Sequence, residues 1–131
     1  MPIQIKYDDD KKILYVIMQG TLDPQEFEQV LTTIVSSREY PPDVATLWDV
    51  SAVLAPASLH SREDEGQLLR GLIDIRKKYP ERGRAMFAVV APSDLAFGMS
   101  RMYEALSSPM QQTVMVFRTV SEAERWLRGQ G

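Results

Sequence analysis

The chain has 131 residues, with 15 Lys and Arg against 18 Asp and Glu, a net charge of -3, 44% hydrophobic and 25% charged residues. That length suits one domain with its own core, expected to span residues 1–131, and the composition excludes a mostly disordered chain. Cysteine is absent, which excludes disulfides, thiolate metal sites and cysteine nucleophiles, and the interspersed charges leave no basic footprint for nucleic acid.

The N-terminal run Met1-Pro2-Ile3-Gln4-Ile5-Lys6-Tyr7 lacks the apolar core of a signal peptide. No apolar stretch approaches the roughly 20 residues that a transmembrane helix needs. A cytoplasmic location is therefore expected.

Ile3, Ile5 and Tyr7 alternate with Gln4 and Lys6, the period of a strand. Residues 8–11 are a polar turn, and residues 13–18 form a second strand that is apolar on both faces. The two are close enough to be a hairpin. The first helix is the best marked element. Asp23 is the expected N-cap, Pro24 takes the first helical position, and Glu26 completes an arrangement like a capping box. Leu22 and Phe27 have the spacing of a hydrophobic staple. Phe27, Val30, Leu31, Ile34 and Val35 make one apolar stripe, and Tyr40-Pro41-Pro42 ends the unit.

A third strand is expected over residues 45–50, followed by a connection over residues 51–61. The second helix starts near Ser61, with Glu63, Asp64 and Glu65 where the helix dipole favours acids. Its buried face is Leu68, Leu69, Leu72, Ile73 and Tyr79, and Pro80 stops it. A fourth strand covers residues 85–91. The third helix starts at Ser93 or Asp94 and is expected to bury Leu95, Met99, Met102, Tyr103 and Leu106, with Pro109 after its end. A fifth strand covers residues 113–118. The fourth helix is expected to open on a capping box of Ser121 and Glu124 and to bury Trp126 and Leu127.

The order β-β-α-β-α-β-α-β-α predicts an α/β fold with a mixed, mainly parallel five-stranded sheet, strand order 1-2-3-4-5, and the first strand as an antiparallel edge. Right-handed crossovers advancing in one direction put their helices on one face of such a sheet. The second, fourth and fifth strands are nevertheless apolar on both faces. Either the first or the fourth helix crosses to cover the second face, or another copy does, and a homodimer is the expectation.

Several residues are candidates for a site. Asp49 ends an apolar strand, where it can meet a ligand or accept hydrogen bonds from the following loop, with Ser51 nearby. Gly98 interrupts a helix beside Phe97, which points to close approach of a ligand or to tight packing. Arg101, one turn on, can hold an anionic group or pair with Glu104 or Asp94. Met18, Met86, Met99, Met102, Met110 and Met115 suit either an adaptable apolar pocket or a methionine-rich core. Residues 51–61 carry Val53, Leu54 and Leu59 and no charged residue, so this connection is expected to cover something apolar, as a lid or as packed core. His60 is the only histidine, which leaves no zinc set, and no Gly-x-Ser-x-Gly nucleophile elbow is present. No catalytic residue, metal or cofactor is expected.

The segment Leu47-Trp48-Asp49-Val50-Ser51-Ala52-Val53 resembles the third strand of STAS domains, the anti-anti-sigma SpoIIAA family, which carry an Asp-x-Ser-x-Val pattern there. The chain also resembles the bacterial SpoIIAA-like proteins of unknown function, a group related in fold to the CRAL-TRIO lipid-transfer domains. That likeness rests on Gly20-Thr21-Leu22-Asp23, on Phe97-Gly98-Met99-Ser100-Arg101-Met102, and on Val116-Phe117-Arg118 with Glu122-Ala123-Glu124-Arg125-Trp126-Leu127. It implies a SpoIIAA/STAS-like fold. Regulatory members carry a phosphorylated serine in an Asp-Ser-Ser-Gly-like turn before the second helix. Here residues 54–61 lack the acid and the glycine. Three acids also crowd Ser61, so no phosphorylation is expected at Ser58 or Ser61.

The resulting expectation is a non-enzymatic binding module for an apolar or lipid-like small ligand, held by Asp49, Ser51, Leu54, Leu59, Phe97, Gly98, Arg101 and Met102. The lipid class is implied by the CRAL-TRIO relationship alone. The alternative is a STAS-type regulator acting through protein–protein contacts.

Overall fold

The computed structural model describes residues 3–21, 23–36, 44–54, 61–76, 86–106 and 113–129. Leu22, Tyr40, Pro41, Pro42, Ser58, Leu59, His60, Tyr79, Pro80, Pro109 and Met110 lie outside the described residues, as does the side chain of Val35.

The chain runs β1 (Ile3–Asp8), β2 (Ile13–Thr21), α1 (Pro24–Ser36), β3 (Ala45–Leu54), α2 (Arg62–Arg76), β4 (Met86–Val90), α3 (Asp94–Leu106), β5 (Thr113–Phe117) and α4 (Val120–Gly129). The five strands form one sheet in the order β1-β2-β3-β4-β5. β1 pairs antiparallel with β2, and the other pairs are parallel. The hairpin turn is held by Asp8, whose Oδ1 accepts from the Lys11 backbone N–H at 3.0 Å. Lys12 takes a left-handed conformation there, with φ 58°.

The register sorts the side chains. Leu14, Val16 and Met18 of β2, Trp48 of β3, Phe87 and Val89 of β4, and Val114 and Val116 of β5 lie on one face. They meet Phe27, Val30, Leu31 and Ile34 of α1, Leu69, Leu72 and Ile73 of α2, and Tyr103 of α3. Each such side chain, fully buried, contributes about 1.5–3 kcal/mol. Ile13, Leu47, Ala88 and Val90 point to the opposite face, where Ala123 and Leu127 of α4 cover them. Tyr15, Phe117 and Trp126 pack around that second cluster.

α4 therefore covers the second face of the sheet, one of the two covers the sequence allows. The expectation of a homodimer rested on a bare apolar face, and that ground is removed. The reason is simple: α4 follows the last strand, so no crossover rule holds it on the side of α1, α2 and α3.

Four local expectations are corrected. β3 does not stop at Val50: residues 51–54 continue the strand. Ala52, Val53 and Leu54 pair with Gln19, Gly20 and Thr21 of an equally extended β2, past an irregularity between Ile17 and Gln19. Gly20, with φ 83°, takes the left-handed backbone that this stretch requires. β4 ends at Val90, one residue before the expected Ala91, and β5 at Phe117, one before the expected Arg118, while Ala85 lies outside the described residues. α4 opens on Thr119 and not on Ser121. Thr119 Oγ1 accepts from the Glu122 backbone N–H at 3.2 Å and also bonds the Glu122 carboxylate at 3.0 Å. Thr119-x-x-Glu122 and Ser121-x-x-Glu124 are both capping boxes by sequence, and docking on the sheet selects the first. Leu95, expected to be buried, is 59% exposed.

Candidate functional site

The extension of β3 shapes the site. Pairing between β3 and β4 ends at Asp49 and Val90, so Val50, Val53 and Leu54 run on without a β4 neighbour. After Val90 the chain turns at Ala91 and Pro92 and enters α3. Ser93 caps that helix, its Oγ accepting from the Ala96 N–H at 3.1 Å. Arg118, just past β5, ties the turn down: its Nη1 donates to the Pro92 carbonyl and to Asp94 Oδ1, both at 2.9 Å. Its guanidinium also lies 4.0 Å from the centre of the Phe97 ring, a cation–π arrangement.

Between this anchored α3 and the β3 extension lies a cavity of about 270 Å³. It sits at the carboxyl-terminal ends of β2, β3 and β4, under α1, α2 and α3. Its floor is Met18, Trp48, Val50, Phe87 and Val89, and its walls are Phe27, Leu69 and Leu72. α3 lines it with Leu95, Ala96, Met99, Ser100 and Tyr103, one face of a helix by spacing. Val53 and Leu54 border the other side, and Leu54 is 63% exposed. None of the described lining residues carries a formal charge. The rings of Phe27, Trp48, Phe87 and Tyr103 follow one another at centroid distances of 5.3, 5.2 and 6.5 Å. Trp48 Nε1 is buried without a hydrogen-bond partner. Such an orphan costs about 1–3 kcal/mol.

The residues singled out from sequence are scattered by the fold. Leu54 borders the cavity. Asp49 lies on the opposite, α4-facing side of the sheet by register, and its Oδ1 accepts from the Ser51 N–H at 3.0 Å and from the Ser51 hydroxyl at 2.5 Å. Phe97 and Met102 pack against the main core without lining the cavity. Apart from its own helix backbone and chain neighbours, a Cβ added at Gly98 would meet no atom within 4 Å among the described residues, so none of them approaches that position closely. Arg101 is exposed and its Nε pairs with Glu104 at 3.5 Å. Of the methionines, Met18 and Met99 reach the cavity, Met102 joins the main core and Met86 the second cluster, and Met115 is exposed. Ser61 serves as the cap of α2, its Oγ accepting from the Asp64 N–H at 3.2 Å.

Sequence reasoning offered Met18 and Met99 as pocket residues, as one of two readings of the methionines, and missed Phe27, Trp48, Leu69, Leu72 and the rest of the α3 stripe as cavity residues. Their apolar periodicity is the signature of ordinary core, and no local signal separates a core wall from a cavity wall. Among the described residues, no group of three or more His, Cys, Asp or Glu side chains is placed to hold a metal ion. None of the described helices is long and apolar enough to cross a bilayer.

No protein-family model matches the chain, and no curated protein matches it significantly. Among solved structures it is similar to an uncharacterised protein from the DUF3478 family with a SpoIIAA-like fold from Shewanella loihica PV-4. That likeness has a TM-score of 0.59 at 20% identity and covers 96% of this chain and 92% of the other. It is also similar to an anti-sigma factor antagonist from Mycobacterium paratuberculosis, with a TM-score of 0.59 at 23% identity over 97% of this chain and 93% of the other. The fold is SpoIIAA/STAS-like, as the sequence resemblance implies.

Proposed function

We propose that the chain is a non-enzymatic binding module that holds an apolar small molecule at the carboxyl-terminal ends of β2, β3 and β4. The observation that carries this reading is the cavity of about 270 Å³ whose described walls carry no charge. Ligand pockets are mostly apolar clefts of roughly 300–1,000 Å³, and an engineered apolar cavity of about 150 Å³ already takes up benzene. Leu54 and Leu95, 63% and 59% exposed, stand at its border. Two large apolar side chains kept in water beside an apolar cavity suit an entrance better than a sealed core. Asp49, the strand-end carboxylate, is on the other face of the sheet and is engaged by Ser51, so it does not serve the cavity.

A second reading, a STAS-type regulator acting through protein contacts, is favoured by the likeness to the anti-sigma factor antagonist. Native mass spectrometry followed by organic extraction separates the two. A small apolar molecule that leaves on denaturation supports the first reading, and a stoichiometric protein partner supports the second. A chain that flies at its own mass and binds no apolar probe ends the first.

A further inference from the structure

We propose that the cavity selects a compact, neutral cyclic molecule, aromatic or alicyclic, over the long-chain carboxylates that an apolar site first suggests; this rests on the reading of the cavity as a ligand site.

Charge supplies the first argument. A carboxylate taken out of water needs a cation or several donors, and without them its burial is far more costly than that of a neutral polar group. None of the described lining residues is cationic. Two described arginines on or beside α3 are committed elsewhere, Arg101 to Glu104 at 3.5 Å and Arg118 to Asp94 at 2.9 Å.

Size supplies the second. By proportion to the benzene-binding cavity of about 150 Å³, a space of about 270 Å³ takes a ligand on the order of ten non-hydrogen atoms. A common acyl chain exceeds that, whereas a fused bicyclic ring system fits.

The walls supply the third. Phe27, Trp48, Phe87 and Tyr103 form a continuous aromatic series along the cavity. Ring faces and edges complement a flat or cyclic guest, and the thioethers of Met18 and Met99 add polarizable contact. The polar chemistry on offer is slight: among the described lining residues it is the hydroxyls of Ser93, Ser100 and Tyr103 on the α3 side, since Trp48 Nε1 is buried out of reach. That matches one hydroxyl or carbonyl on an otherwise apolar ring system.

Isothermal titration calorimetry at pH 7.5 with four probes tests this: 2-naphthalenemethanol, 2-naphthoate, 1-octanol and dodecanoate. The bicyclic alcohol is expected to bind at least tenfold tighter than each of the other three. Ala96→Leu, which places three more carbons in the cavity, is expected to weaken that binding at least tenfold without lowering the melting temperature. Equal or tighter binding of either carboxylate, or of octanol, overturns the selectivity while the binding-module reading stands. Binding of the alcohol that Ala96→Leu leaves unchanged overturns the assignment to this cavity. If none of the four binds, both the inference and the reading beneath it fall.

Discussion

The hydroxyl of Tyr15 in β2 donates a hydrogen bond to Glu124 Oε2 in α4, joining two residues 109 positions apart. Lys11 Nζ reaches the same oxygen at 3.1 Å. This three-residue clasp fastens α4 to the sheet face that no other described helix covers. It also explains why Glu124 is not the capping acid of its helix: it faces the sheet, and Glu122 caps.

Tyr15→Phe is expected to lower stability by about 1 kcal/mol, the net value of a typical side-chain hydrogen bond. The loss should depend on pH. The Tyr15 hydroxyl, followed by Lys11, holds the Glu124 carboxyl below its ordinary range. That contribution is present above the unfolded carboxylate value of about 4.3 and is lost as pH falls through the lowered folded value. Burial, and then the bond to Glu124, pushes the Tyr15 phenol up. That contribution is full below about pH 10, the unfolded phenol value, and is lost as pH rises beyond it. The difference in melting temperature between wild type and Tyr15→Phe should therefore be widest from about pH 5 to about pH 9 and narrow at both ends. A difference independent of pH would dismiss the clasp.

Thr119→Ala should cost about 1 kcal/mol, because it leaves the Glu122 N–H without its cap. Ser121→Ala, one residue into the exposed side of α4, should stay within about 0.5 kcal/mol. Denaturant melts of the two variants decide between the capping boxes, and the reverse order would place the helix start at Ser121.

Leu54→Asp is expected to leave the fold intact, since Leu54 is 63% exposed and surface changes usually fall within about 0.5 kcal/mol. Binding of an apolar fluorescent probe should be lost, because a carboxylate then stands at the border of a cavity whose described lining is uncharged. Circular dichroism checks the first expectation and a fluorescence titration the second. Undiminished probe binding would remove Leu54 from the entrance.

With α4 on the second face, the chain is expected to be a monomer at micromolar concentration. A chain ended before Val120 exposes Ile13, Leu47, Ala88 and Val90, all buried in the intact fold. It should then self-associate. Static light scattering on both forms reads this out, and a truncated chain that stays monomeric and folded would show that α4 is not the needed cover.

The sequence by itself determined the order of the elements and the sheet. Alternation in β1, the Asp23-Pro24 start of α1, the acidic first turn of α2 and the double-sided apolar strands are local signals, and a right-handed crossover leaves little choice of strand order. Asp23 does cap α1, its Oδ1 accepting from the Gln25 N–H at 2.9 Å. Where two local patterns were equally good, the chain alone was silent. Thr119 and Ser121 both head a capping box, and only the docking of Ala123 and Leu127 on the sheet, with Glu124 against Tyr15, sets the phase of the helix. The cavity was least legible of all. Trp48, Phe87, Leu72 and Tyr103 read as core because each sits at an apolar core position. Whether such side chains meet or leave a space between them depends on how far β3 outruns β4 and where Arg118 holds the start of α3. Periodicity records which way a side chain points, not how far away its neighbour stands.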